Sequence, residues 1–226
     1  MEYMLDTANI DLIKKCNEIF PITGVTSNPS IIKKEGKIDF FNHFRKIRES
    51  IGVDKTLHIQ VVSEDLDGIL KEAKAILENV DDKVCIKIPV NKEGLKAIKI
   101  LKAQGVLVTA TAIYTTAQGL LAMEAGADFI APYFNRMENM NIDPKKIIKT
   151  FADMIEKYNY KTKILAASFK NMGQVNDAFI CGAQTATMAP DILLDSLNMV
   201  AIQKAVNDFR NDWEGIFGNV SIVDLK

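Results

Sequence analysis

The run VCIKIPV, residues 84–90, decides how the rest of the chain is read. It is apolar on both alternating sets of positions, with one charge at its centre. Continuous apolar strands, unlike strict apolar/polar alternations, belong to parallel sheets covered on both faces. Cys85 and Lys87 share one face of such a strand and Ile86 and Ile88 the other. Pro89 donates no backbone hydrogen bond and suits the strand's end. Lys87 is the anomaly, because a buried ammonium costs several kcal/mol unless it is paired or gives up its proton.

Seven further runs of the same kind flank it. They are YMLD (3–6), ITGVTS (22–27), TLHIQVV (56–62), VLVTATAIY (106–114), DFIAPY (128–133), KILAASF (163–169) and TATMAP (185–190). Helix-period segments lie between them: 28–34, 64–80 and 92–105, the second with apolar residues at i, i+3, i+4 and i+7. Gly105, Gly126 and Gly182 stand where helices end and a left-handed cap is wanted. About eight β-then-α units in about 200 residues predict a single (β/α)8 TIM barrel domain over 1–226. An open doubly wound sheet is the competing architecture, but LDTANID (5–11) has no glycine-rich turn after the first strand. Beyond the last strand, helical patterns cover 190–200 and 201–218. In the second, Phe209, Trp213 and Phe217 recur at i, i+4 and i+8 as one apolar face. That face either caps its own barrel or packs on a neighbouring subunit.

Composition narrows the function classes. The 226 residues carry a net charge of −1, which gives no general attraction to nucleic acid or an anionic membrane. No run of 18 apolar residues is present. The N-terminus has no basic-then-apolar leader pattern. Cys16, Cys85 and Cys181 are odd in number and far apart, which argues against disulfides and zinc clusters and fits a reducing cytoplasm. No His or Cys pair has metal-ligand spacing, so neither a metal nor any other cofactor is expected.

In a barrel, chemistry belongs at the C-terminal ends of the strands. Asp6 ends the first. Thr26, Ser27 and Asn28 end the second, with Ser27 or Asn28 as a helix cap before Pro29. Gln60 lies late in the third and Lys87 in the fourth. Thr109 and Thr111 are in the fifth, Tyr133 and Arg136 follow the sixth, and Ser168 follows the seventh. Lys87 then has two readings: a structural ion pair with Asp6, or a desolvated amine that adds to a carbonyl. His58 and His43 read as core or surface residues, which leaves Asp6, Gln60, Thr111 and Tyr133 to move protons, directly or through a water.

The segments LDTANI, GVTSNPSII, KIPV, EGLKAIKILKAQG, TATAIY, AQGLLAMEAGA, APYFNR and AASFK together resemble the small transaldolase family, and within it the fructose-6-phosphate aldolase subgroup. The resemblance runs from Met1 to the DW and FG of 212–218. It implies a Schiff-base lysine at Lys87, with Asp6 assisting proton transfer. Gln60, Thr111 and Tyr133 hold the catalytic water and handle its protons. Asn28 and Thr26 bind the donor's hydroxyl region, and Arg136 and Ser168 bind the sugar's phosphate. Gln60 and Tyr133 stand where transaldolases of the family carry glutamate and phenylalanine, which points to the aldolase subgroup. Asn135 agrees with that subgroup, whereas Ser27 and Phe134 replace a common threonine and valine.

The implied reaction is cofactor-free cleavage or formation of fructose 6-phosphate from dihydroxyacetone and glyceraldehyde 3-phosphate. The alternative is a transaldolase that passes the three-carbon unit to erythrose 4-phosphate in the pentose phosphate pathway. A catalytically silent sugar-phosphate-binding scaffold is the non-enzymatic alternative. The implied partners are sugar phosphates, dihydroxyacetone and copies of the same chain, in a decamer whose C-terminal helix reaches over a neighbouring subunit.

Overall fold

The computed structural model describes residues 1–225. Eight parallel strands close into a barrel in chain order. The first half runs β1 (Glu2–Asp6), α1 (Ile10–Ile19), β2 (Ile22–Thr26), α2 (Pro29–Ile32), α3 (Phe40–Ile51), β3 (Thr56–Gln60), α4 (Leu66–Asn79), β4 (Cys85–Pro89) and α5 (Lys92–Ala103). The second half runs β5 (Val108–Ile113), α6 (Thr116–Glu124), β6 (Phe129–Pro132), α7 (Phe134–Asn139), α8 (Pro144–Tyr158), β7 (Lys163–Ala166), α9 (Met172–Ile180) and β8 (Thr185–Met188), followed by α10 (Pro190–Leu197) and α11 (Val200–Phe217). The expected (β/α)8 barrel with an extra C-terminal helix is therefore the observed architecture. β8 returns to pair with β1 and leaves no open edge.

The strands are shorter than their apolar runs, for local reasons. β4 and β6 end at Pro89 and Pro132, which cannot donate to a ladder. β7 stops at Ala166, short of Phe169, because Ser168 turns left-handed at φ 64°. The caps beyond the strands are read directly from residue type. Asn28 is the α2 cap and accepts from the Ile31 amide, with Pro29 at the first helical position. Asn9, Asp65, Asn91, Thr115 and Asn171 do the same for α1, α4, α5, α6 and α9. Gly105, Gly126 and Gly182 take φ of 78°, 90° and 100° after helix ends, as their residue type demands.

Between sheet and helices lies a shell of buried Ile, Leu, Val and Phe, including Ile59, Ile86, Ile88, Phe44 and Phe151. α6 approaches α8 so closely that a Cβ on Gly119 would meet the Phe151 ring at 2.2 Å. Inside the barrel, Met4, Cys85, Phe129 and Leu165 form an apolar floor. Lys87 is two residues on from Cys85 on the same face of β4, so its amine rises from that floor toward the C-terminal mouth.

The chain divides into two compact units, Met1–Pro190 and Asp191–Lys226. Within the second, Trp213 packs on Phe217 with ring centroids 4.4 Å apart, and its indole N–H donates to the Val220 carbonyl at 2.8 Å. Phe209 is 72% exposed, and Val206, Ile216 and Phe217 are exposed with it. Among the described residues no helix is long and apolar enough to cross a membrane.

Candidate active site

Lys87 is 2% exposed. Its Nζ donates to the carbonyl oxygen of Ser27 at 3.3 Å. Among the described residues no carboxylate forms an ion pair with it, Asp6 included. Asp6 is held instead by Thr26, whose hydroxyl donates to Oδ1 at 2.7 Å. The Thr26 hydroxyl also meets that of Thr187 on β8 at 2.7 Å. Thr26 is fully buried, with its hydroxyl between Asp6 and Thr187. Thr187 carries no signal in the sequence beyond the inward alternation of threonines in TAT (185–187).

Gln60 is the register partner of Lys87 on β3. Its Oε1 is sequestered from solvent with no hydrogen-bond donor facing it. A cavity of ≈640 Å³ opens beside it, lined by Pro29, Gln60, Val61, Ser63, Pro89 and Asn91. Of the polar strand-end residues, Gln60 alone lines it. Asn28 uses its Oδ1 for the cap, so what it can offer a ligand is its Nδ2 amide.

On the other side of the mouth, the Thr111 and Tyr133 hydroxyls are 3.0 Å apart. Both residues are buried. The Arg136 guanidinium lies over the Tyr133 ring, 4.8 Å from its centroid. Its Nη1 donates to the Tyr114 hydroxyl at 3.3 Å. That hydrogen bond holds the arginine above its ordinary pKa. Tyr114, which sequence reading passed over, also sets its ring edge-on to Tyr133 at 5.6 Å. Ser168 follows β7, and the loops after β6 and β7 are tied together: Phe134 N–H donates to Ala167 and Asn135 N–H to Ser168, both at 2.8 Å. Arg136, on α7, and Ser168, just after β7, thus sit on two bonded segments. Phe134, which stands where the family commonly has valine, is fully buried and packs against Phe169 at 5.7 Å.

The mouth loops are also braced from below. Glu72 on α4 accepts from the Val62 and Ser63 amides at 2.7 and 3.0 Å. Gln118 on α6 and Gln174 on α9 make the equivalent reach after β5 and β7.

His58 takes no place at the mouth. It bonds Thr109 at 2.7 Å and Thr56 at 2.9 Å inside the barrel. Burial, and secondarily the charges of Lys87 and Arg48, lowers its pKa to about 3. Thr109, expected with the mouth residues, is turned to this imidazole. Burial likewise pushes the Cys85 thiol up to about 12, so it stays protonated beneath the amine. Among the described residues no group of three or more His, Cys, Asp or Glu is placed to hold a metal.

The strand ends thus carry a buried amine, a carboxylate held by a threonine, and a phenol–hydroxyl pair. These are the parts of amine-mediated carbonyl chemistry. A family model described as transaldolase/fructose-6-phosphate aldolase matches residues 3–220. A probable fructose-6-phosphate aldolase of Streptococcus pneumoniae is 53% identical over 222 residues, which cover 98% of this chain and 100% of that protein.

Proposed function

The chain belongs to the transaldolase/fructose-6-phosphate aldolase family, and from that premise we propose that it is a class I aldolase that cleaves or forms fructose 6-phosphate through a Schiff base on Lys87. The observation that carries this reading is the unpaired, 2% exposed Lys87 amine at the end of β4. A lysine kept for structure would carry a carboxylate partner; one kept for addition must be free to lose its proton.

The neutral Lys87 amine attacks the C2 carbonyl of the ketose phosphate, and the carbinolamine hydroxyl takes a proton from Tyr133 and leaves as water to give the protonated imine. Cleavage of C3–C4 follows as the C4 hydroxyl gives up its proton to Asp6. Glyceraldehyde 3-phosphate leaves, and the C3–C4 electron pair becomes the enamine of dihydroxyacetone. Protonation at C3 and addition of water to the imine release dihydroxyacetone and restore the amine. Tyr133, with Thr111 beside it, passes protons to and from the water that Gln60 orients. Arg136 and Ser168 bind the phosphate, and the Asn28 amide binds a donor hydroxyl. Thr26 keeps Asp6 in place.

The transaldolase reading differs only in what intercepts the enamine. Gln60 and Tyr133 favour the aldolase, because an amide orients water without taking its proton, whereas a phenol donates one. No metal takes part. The three free cysteines suit a reducing cytoplasm. The exposed apolar face of α11 suits a homo-oligomer, a decamer by the family resemblance.

The test is to incubate the protein with fructose 6-phosphate, with and without erythrose 4-phosphate, and to trap Lys87 with borohydride. Free dihydroxyacetone without an acceptor establishes the aldolase. Turnover only with erythrose 4-phosphate establishes the transaldolase. Absence of a reduced adduct on Lys87 rejects both.

A further inference from the structure

Thr111 and Tyr114 are three residues apart on β5 and its continuation. In an unbroken strand such residues face opposite sides. Here both reach Tyr133: Thr111 through its hydroxyl at 3.0 Å, Tyr114 through its ring edge at 5.6 Å. Tyr114 also takes the Arg136 hydrogen bond. The reason is an extra residue in β5. Pairing with β6 steps from Ala110↔Ile130 to Ile113↔Pro132, three residues against two. Ala112, inside the step, has φ 56°, a conformation that alanine disfavours.

The bulge leaves backbone groups without ladder partners, and one side chain takes them up. The Thr111 carbonyl accepts from Val90 N–H at 2.9 Å and the Ile113 carbonyl from Tyr133 N–H at 3.1 Å, so the flanks are paired. Between and beyond them, Gln118 Nε2 donates to the Ala112 carbonyl at 3.2 Å, and its Oε1 accepts from Tyr114 N–H at 3.0 Å. The same Nε2 donates to the Val90 carbonyl, just past the end of β4, at 2.9 Å. Gln118 therefore stitches the bulge to the strand that carries Lys87.

Helix capping does not account for this. Thr115 already caps α6 by accepting from the Gln118 amide at 3.2 Å. Its Oε1 also accepts from the Thr115 hydroxyl at 3.3 Å, but a capping-box glutamine would bond the cap residue's own N–H, whereas this one bonds Tyr114 N–H and reaches across to Val90. We propose that Gln118 is a positioning residue, fixing the left-handed bulge at Ala112 so that Thr111 and Tyr114 together aim the Tyr133 phenol and the Arg136 guanidinium.

The inference rests on the Schiff-base reading above, and its test separates the two. Wild-type protein and Gln118→Met are compared for borohydride trapping of dihydroxyacetone on Lys87 and for cleavage of fructose 6-phosphate. Wild type that neither traps nor cleaves removes the reaction and this role with it. With wild type active, Gln118→Met is expected to keep the trapping and to lose about tenfold in kcat. In a Tyr133→Phe background the same change is expected to cost no more than about twofold, because coupled residues are non-additive. Ala112→Gly added to Gln118→Met is expected to restore most of the rate, since glycine takes a positive φ without strain, and it also supplies a variant should Gln118→Met fold poorly. An equal loss with and without the Tyr133 hydroxyl, no loss at all, or no rescue by glycine would overturn the role.

Discussion

The amine of Lys87 is 3.3 Å from the backbone carbonyl of Ser27, and that carbonyl is its hydrogen-bond acceptor. A carbonyl orients an amine without fixing a proton on it as a carboxylate would. Lys87→Met should therefore abolish the borohydride adduct and lower turnover by a factor on the order of 10³ or more. The fold should persist, because a methionine buries well on an apolar floor of Met4, Cys85, Phe129 and Leu165. Thermal denaturation checks the second half. A variant that still turns over at the wild-type rate rejects Lys87 as the nucleophile.

Tyr133→Phe keeps the ring under Arg136 and removes only the hydroxyl bonded to Thr111. It should lower kcat for fructose 6-phosphate cleavage by about 10²-fold or more while changing KM little. Steady-state kinetics decide it. A loss confined to KM would make the phenol a binding group.

Arg136→Ala should raise KM for glyceraldehyde 3-phosphate by about ten- to hundredfold, the value of a charge-assisted hydrogen bond. Unphosphorylated glyceraldehyde should be affected far less. Equal effects on the two aldehydes would take Arg136 out of phosphate recognition.

His58 gives the fold an acid sensitivity separate from catalysis. Its folded pKa is lowered to about 3 by burial, against an ordinary value of 6.5. Above 6.5 the imidazole is neutral in both states and its native hydrogen bonds are intact. As pH falls below 6.5 the unfolded chain takes up a proton that the folded one refuses, so stability declines, by up to about 1.4 kcal/mol per pH unit. The window between pH 6.5 and 5 lies above most carboxylate titrations. Urea titrations there should show a shallower slope for His58→Gln than for wild type; identical slopes would reject the assignment.

Much of this was legible in the residues. Eight apolar runs located eight strands, and Lys87 stood out because a charge at the centre of VCIKIPV has no cheap explanation. Asn28, Pro29 and the three post-helix glycines were readable because capping depends on local residue type. Thr109 was placed at the mouth from its position in β5, yet it turns to His58, a partner that only the closed barrel brings to it. Tyr114 and Gln118 stayed hidden because their positions depend on a bulge at Ala112, and alanine carries no turn signature. Thr187 joins Asp6 through Thr26 only once β8 closes against β1, a contact 161 residues apart in the chain.

The braces at Glu72, Gln118 and Gln174 have a consequence for redesign. Each sits on an outer helix and holds the backbone of a mouth loop from outside the cavity. The shape of the rim is thus set by residues on helices, while its lining is set by others. A redesign that varies a lining residue such as Val62, and keeps the three braces together with Ser63, which bonds Glu72, and the α5 cap Asn91, should change the lining while the loops hold their course.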